Sequence, residues 1–188
     1  MPDGFQRWDA VNARGEDRYQ LQSRLIRETL ASPTRGLDLL LAGMRTSGES
    51  CVYLCGSRID NDFGFGSADL GLALSVLPED GSKAAVPGYH PGGTEVYVVI
   101  EGELVLEWLE DGVVGSRPCR QHEITLIPPG HCHRVRHSPD TRAASLIVKT
   151  GLDRAPAVVR CTECPRYRAP ADCPLHAAWA AEGLAGGG

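Results

Sequence analysis

The sequence predicts an all-β barrel or sandwich that follows a helical segment and precedes a short cysteine-rich segment. Short apolar and β-branched runs recur at a spacing of about 8–12 residues, with turn signals between them. Helical periodicity is confined to the region before these runs. The 188 residues suffice for one domain with its own core and extensions. We therefore divide the chain into a helical N-terminal extension (1–48), a β-barrel (49–152), a Cys/His metal-binding segment (153–179) and a flexible tail (180–188).

The N-terminal extension is predicted to be helical in two places. Apolar residues between Leu21 and Leu30 recur near helical spacing, which predicts a helix over residues 18–30 that ends before Pro33. A leucine-rich run predicts a second, shorter helix over residues 36–44. The extension can pack on the barrel or against a second subunit, and we expect a homodimer because exposed sheet edges need cover.

The barrel strands are predicted from runs of β-branched and apolar residues. Glu101-Gly102-Glu103 is interpreted as a turn between two of them. Asp111-Gly112 predicts a tight hairpin, because an Asp-Gly pair accommodates positive φ. The predicted strands cover residues 51–54, 70–77, 96–100, 104–109, 124–127 and 144–148.

Composition excludes several classes of function. The net charge is −5 and the pI is about 5.7, and no Lys/Arg cluster is dense enough for nucleic-acid binding. No apolar run approaches the roughly 20 residues of a membrane-spanning helix, and residues 1–8 lack the apolar core of a signal peptide. Seven cysteines, an odd number, then indicate the cytoplasm, where they are thiols or metal ligands.

His90, Glu95 and His133 are the candidate metal ligands of the barrel. His90 and Glu95 flank a Gly- and Pro-rich loop, and His133 follows thirty-eight residues after Glu95. Two imidazoles and one carboxylate form the facial triad expected for non-haem Fe(II), and Zn²⁺ also accepts this set. The alternative is that the first two residues belong to a surface turn.

These residues lie in two motifs that resemble those of the cupin superfamily. In the first cupin motif, a His-x-His pair is followed by a carboxylate and then a glycine, positions matched here by His90, Glu95 and Gly102. The second motif is matched by Pro128, Gly130 and His133. The resemblance covers residues 70–150 and implies a jelly-roll β-barrel with a metal inside it.

Three positions depart from the cupin pattern. Gly88 stands in place of the first histidine, His122 in place of the glycine that opens the second motif, and His137 in place of its asparagine. The remaining two-His-one-Glu set resembles cupin dioxygenases such as 3-hydroxyanthranilate dioxygenase. That resemblance implies a mononuclear iron enzyme with a small aromatic or carboxylate-bearing substrate.

Strand alternation adds further candidates for the pocket. If His133 enters the barrel, His131 and His137 share its face, because side chains two residues apart point the same way. By the same argument Tyr97 lies beside Glu95, as a hydrogen-bond donor or general acid. The alternative for His131 is a position on an exposed turn. The alternative for His137 is a position behind the metal ligands or at the surface.

The substrate contacts and the reaction stay open at this stage. Arg58 is the candidate for gripping a substrate carboxylate, with Arg117 and Arg120 as alternatives. The leading hypothesis is an iron dioxygenase. A zinc cupin that catalyses a non-redox isomerisation, cyclisation or bond-forming rearrangement is the second, and a non-catalytic small-molecule-binding cupin is the third.

A second candidate metal site follows the barrel. Cys161, Cys164, Cys173 and His176 form a C-x2-C-x8-C-x2-H pattern, whose two tight pairs suit a structural Zn²⁺. Incidental thiols, or a redox or iron–sulfur role, are the alternatives. Cys132 alternates away from His133 and is not assigned as a ligand.

Overall fold

The computed structural model describes residues 20, 36–48, 50–55, 67, 69–77, 86–138, 141–152 and 158–182. The predicted helix over residues 18–30, apart from Gln20, lies outside these ranges, and so does Arg58. The described elements are α1 (Gly36–Ser47), β1 (Cys51–Cys55), β2 (Gly71–Leu77), β3 (Gly88–Tyr89), β4 (Glu95–Glu110), β5 (Val113–Arg120), β6 (Ile124–Ile127), β7 (His133–His137), β8 (Ala143–Lys149), β9 (Val159–Arg160) and α2 (Pro174–Ala181).

The 16-residue strand β4 joins the two halves of the barrel. Its first half pairs with β6 and β8, and its second half pairs with β5 and β7. The sheet continues from β8 through β2 to β1 on one side, and from β7 through β3 to β9 on the other, with every pairing antiparallel. The predicted all-β architecture is therefore confirmed.

Gly102 marks the place where β4 passes from one half of the barrel to the other. The predicted turn at residues 101–103 is wrong, because the strand runs on through it with a register shift between Val99 and Glu101. Gly102 has φ of +68°, and a Cβ there would run into the backbone carbonyl of Arg142. Only glycine combines that φ with so close an approach.

The predicted hairpin at Asp111-Gly112, between β4 and β5, is confirmed. The two residues have φ of 50° and 77°.

The barrel interior is an apolar cluster contributed by both halves of the sheet, because alternate residues of each strand face inward. Helix α1, which runs three residues longer than the predicted 36–44, packs Leu40, Leu41 and Met44 on the outer face of β1, β2 and β8. It covers the barrel from outside rather than filling it. The interior cluster consists of Ala73, Leu77, Tyr97, Val99, Leu104, Leu106, Cys119, Ile127, Val135, Ala143 and Ile147.

The segment after the barrel is part of the sheet. Strand β9 pairs with β3, with Gly88 opposite Arg160 and Tyr89 opposite Val159. A Cβ on Gly88 would lie 2.9 Å from the carbonyl oxygen of Val159, closer than real Cβ atoms come. Strand β9 therefore packs here because residue 88 has no side chain.

Arg134 ties the C-terminal helix to β7. Its side chain is 0% exposed and contacts the carboxylates of Glu107, at 2.6 Å, and Glu182, at 2.6 Å. Burial alone would raise the pKa of Glu107, but hydrogen bonds and charge from Arg136 and Arg134 outweigh it and lower that pKa. The buried cation thus has a carboxylate from the barrel and one from the segment that follows it.

No helix within the described ranges is long and apolar enough to span a membrane.

The first two residues of the predicted flexible tail, Ala180 and Ala181, belong to α2. Residues 183–188 of that tail lie outside the described part.

Candidate metal centre

His90, Glu95 and His133 come together in the barrel, at 8%, 2% and 7% exposure. Glu95 opens β4, His133 opens β7, and His90 follows β3. Both imidazoles direct Nε2 at the same carboxylate oxygen: Glu95 Oε2 lies 2.9 Å from His133 and 3.4 Å from His90. The loop that carries His90 and Glu95 thus meets His133, which is distant in the sequence, at one buried carboxylate.

The His133 ring is oriented by the backbone. Its Nδ1 lies 3.0 Å from the main-chain carbonyl oxygen of His131. Because a carbonyl oxygen only accepts, Nδ1 carries the hydrogen and donates it. Nε2 then faces the Glu95 carboxylate, and this contact is favourable only with a proton or a metal ion between the two atoms. Metal-binding histidines are commonly oriented by such a contact at the other ring nitrogen.

Tyr97 fixes the opposite oxygen of the carboxylate. Its hydroxyl donates to Glu95 Oε1 at 2.9 Å, and its ring meets the His133 ring edge-on at 6.1 Å between centroids. Burial, followed by the charge of Glu95, raises the pKa of Tyr97 well above its usual value. The phenol therefore keeps its proton and turns Oε2 toward the two imidazoles.

Lys149 is the member of the centre that sequence reasoning missed. It is paired with Glu95 across β4 and β8, and its Nζ lies 2.9 Å from Glu95 Oε1 and 3.3 Å from His90 Nε2. Burial alone would lower the pKa of Lys149, but the charge of Glu95 outweighs it and raises that pKa. The available signal was alternation, since Lys149 shares a strand face with Ala143 and Ile147 of the barrel interior.

The charge of the centre is set by these contacts. Burial alone would raise the pKa of Glu95, but hydrogen bonds from His133 and His90 and the charge of Lys149 outweigh it. The pKa of Glu95 therefore lies well below its usual value. The centre presents an ionised, fully buried carboxylate between two imidazoles.

The donor set suits a divalent metal, and Lys149 opposes one. Two imidazoles and a carboxylate, buried and with His133 pre-oriented, are the ligands that Fe(II) and Zn²⁺ take. As the side chains lie, no group of three or more His, Cys, Asp and Glu residues in the described ranges is arranged to hold an ion. The imidazoles point at the carboxylate itself, and the ammonium of Lys149 contacts both Glu95 and His90. Binding a metal would require this ammonium to move aside.

The other residues predicted for the pocket are not brought into this centre. His131 is exposed and precedes β7, so the alternation that placed it beside His133 does not extend to it. Only its carbonyl takes part. For His137 the structure gives the backbone register alone, opposite Leu104. Arg117 is exposed and donates to Thr125, and the Arg120 side chain is 70% exposed.

The predicted C-terminal ligands lie together, and a barrel cysteine joins them. Cys161 Sγ lies 3.0 Å from His176 Nδ1. Cys173 packs in one apolar cluster with Cys132, and Cys164 packs against that cluster. Burial, together with the thiols of Cys173, Cys164 and Cys161, raises the pKa of Cys132 to about 12. Burial with the thiols of Cys173 and Cys164 raises the pKa of Cys161 to about 11.

Comparison with known structures agrees with this architecture. The chain superposes on DMSP lyase DddQ from Ruegeria pomeroyi DSS-3 over 74% of its own length and 77% of that chain, with a TM-score of 0.50 and 19% identity. This chain has the cupin fold. At this identity the likeness concerns the fold alone. No protein-family model matches the sequence.

Curated proteins similar to part of this chain are named 3-hydroxyanthranilate 3,4-dioxygenase. The protein of that name from Xanthomonas oryzae pv. oryzae is 39% identical over 71 residues, which cover 38% of each chain. The one from Xanthomonas campestris pv. campestris is 34% identical over 81 residues, 43% of this chain and 44% of the relative. The chain thus spans less than half the length of the curated relatives it matches, and the dioxygenase analogy holds for a part of the cupin.

Proposed function

We propose that this chain is a mononuclear non-haem iron dioxygenase that acts on a small aromatic or carboxylate-bearing metabolite. The observation that carries the proposal is the convergence of His90 and His133, through Nε2, on the buried carboxylate of Glu95. The partial similarity to proteins named 3-hydroxyanthranilate 3,4-dioxygenase supports the reaction class.

The residues of the centre have separate roles in this proposal. His90, Glu95 and His133 would hold the metal, which when bound supplies open positions for O₂ and a chelating substrate. Tyr97 orients the carboxylate through its 2.9 Å hydrogen bond. The interior around them, including Val99, is apolar and keeps water away from the reacting groups.

A second candidate is a zinc-dependent cupin that catalyses a non-redox isomerisation, cyclisation or bond-forming rearrangement. The observation that favours it is the presence of two proton-bearing groups, Tyr97 and Lys149, each 2.9 Å from Glu95 Oε1. Such groups suit proton transfer to or from a substrate. The ligand set itself accepts Zn²⁺ as readily as Fe(II).

Metal content and O₂ uptake distinguish these functions. Protein purified without added metal is analysed for bound metal, then loaded anaerobically with Fe(II) and mixed with 3-hydroxyanthranilate and related aromatic carboxylates. We expect bound iron and substrate-dependent O₂ uptake. Tightly bound zinc with no O₂ uptake would favour the second candidate, and ligand binding without any turnover would favour a non-catalytic cupin.

Replacing Lys149 by Met should strengthen metal binding in the barrel. The ammonium of Lys149 contacts two of the three ligands and repels a divalent cation. We expect an affinity gain on the order of tenfold, which corresponds to about 1.4 kcal/mol, measured by competition with a chromophoric chelator. Lys149→Arg keeps the charge and serves as the control. Equal affinity in wild type and Lys149→Met would show that the ammonium does not oppose the metal.

We also propose a homodimer in the cytoplasm, as expected from the sequence. Val113, Ile124 and Leu126 support the dimer, because these apolar side chains are 68%, 67% and 61% exposed on β5 and β6. A sedimentation run that shows only a species near 20.2 kDa at micromolar protein would contradict the dimer.

A further inference from the structure

Cys132 faces away from the barrel and toward the segment after it. The residue is 5% exposed and lies in the cluster formed by Tyr89, Val159, Cys173 and Leu175, with Cys164 packed against it. Cys132 directly precedes β7, and its side chain packs with the C-terminal cysteines outside the barrel interior. Four thiols from three separate parts of the sequence converge there.

Short 3-10 turns precede or contain the C-terminal cysteines. Residues 161–163 form a 3-10 turn in which the Cys164 N–H reaches the Cys161 carbonyl at 3.4 Å. A second 3-10 turn, Pro170–Asp172, ends with the Cys173 N–H at 3.0 Å from the Pro170 carbonyl. A 3-10 turn places residues three apart on one side, so the first turn presents its two cysteines together.

This segment buries few large apolar side chains of its own. Between the two turns the chain forms no helix or strand. Its apolar anchors are Leu175 and Trp179, at 0% and 4% exposure, and the buried Nε1 of Trp179 has no hydrogen-bond partner among the described residues. Cysteine-rich segments with so small a core usually fold around a metal.

His176 contacts the thiol of Cys161 and the ring of Trp179. Its Nδ1 lies 3.0 Å from Cys161 Sγ, and its ring packs edge-on against Trp179 at 5.3 Å between centroids. An imidazole N–H that donates to a thiolate stabilises the negative charge of that sulfur, as outer partners of metal sites do. The histidine need not be a ligand for the site to be complete.

We propose that Cys132, Cys161, Cys164 and Cys173 bind one structural Zn²⁺ as thiolates, with His176 hydrogen-bonded to Cys161. The four thiols turn inward and each loses its proton on binding, which leaves a closed site with no open position for a substrate. The fourth ligand is therefore a barrel residue, in place of the histidine that the C-x2-C-x8-C-x2-H spacing indicates. Because Cys132 adjoins His133, the ion would fasten the C-terminal segment to the strand that carries a ligand of the barrel centre.

Matched variants of the full chain distinguish the two ligand sets. Zinc content is measured for wild type, Cys132→Ser and His176→Gln, purified under reducing conditions, with Cys55→Ser as a thiol control outside the cluster. We expect Cys132→Ser to lose one zinc ion per chain while His176→Gln and Cys55→Ser keep it. Zinc retained in Cys132→Ser and lost in His176→Gln would overturn the assignment.

A spectrum of the wild-type chain provides a second test, which does not depend on whether a substituted protein folds. With Co²⁺ in place of Zn²⁺, we expect thiolate-to-metal charge-transfer absorption of the strength given by four sulfur ligands. Co²⁺ in the barrel adds none, since its donors there are nitrogen and oxygen. Absorption matching three sulfurs, its absence, or a disulfide between any two of the four cysteines would refute the proposal.

Discussion

Replacing His133 by Ala should remove metal from the barrel while the protein stays folded. Of the three proposed ligands, His133 has its ring oriented by the His131 carbonyl, and its Nε2 makes the shorter approach to Glu95, 2.9 Å. Loss of even an outer partner of a metal ligand weakens metal binding about 10–100-fold, so we expect the loss of a ligand to cost on the order of a hundredfold or more. Competition with a chromophoric chelator, alongside circular dichroism, measures both properties.

His131→Ala is the matched comparison for this variant. It also deletes an imidazole, but one that is exposed, and it leaves the main-chain carbonyl that orients His133. We expect it to bind metal as wild type does. If the two variants bind metal equally well, His133 is not a ligand and the three-residue centre is wrong.

Replacing Arg134 by Met should destabilise the fold more than any exposed substitution. The side chain is 0% exposed and neutralises the buried Glu107 as well as Glu182. Breaking a buried ion pair by removing one partner costs about 3–5 kcal/mol, because the remaining charge stays buried. Urea unfolding at neutral pH, followed by circular dichroism, measures the loss in the free energy of unfolding.

Arg136→Met provides the control for Arg134. Arg136 contacts the same carboxylate at 2.7 Å, but its side chain is 32% exposed, so its loss should cost less. The effect of Arg134→Met should also depend on pH. The pKa of Glu107 is lowered in the fold, so its stabilising contribution is complete above the usual carboxyl pKa of 4.5 and is lost as the pH falls through the folded value. The gap between wild type and Arg134→Met should narrow in acid, and equal stability of the two arginine variants at neutral pH would contradict this account.

Several strands, and the meeting of two histidines with one glutamate, were predictable because their signals are local. Ile124–Ile127 was predicted with its observed bounds, and the hairpin at Asp111-Gly112 follows from residues that tolerate positive φ. His90, Glu95 and His133 are identified by short motifs. Gly102 was misinterpreted because glycine marks both turns and bulges, and only the partners of β4 decide between them.

The rest depended on contacts between distant segments. Strand β9 has two residues, too few to show the alternation of apolar and polar residues that identifies a strand. It forms because it pairs with β3. Lys149 ends an apolar strand, and only its pairing with Glu95 reveals its place. Cys132 was predicted to point away from His133, and it lies in the cluster outside the barrel interior. The residues that Cys132 contacts are determined by where the C-terminal segment packs on the barrel. No local sequence pattern predicts that position.

The contact between Gly88 and β9 bears on how a fourth ligand can be gained or lost. The cupin motif has a histidine at this position, and here any side chain would collide with the Val159 carbonyl. A fourth ligand and a docked C-terminal strand thus exclude each other. Ending the chain before β9 would remove the carbonyl that occupies this space and would leave room at residue 88 for a histidine side chain.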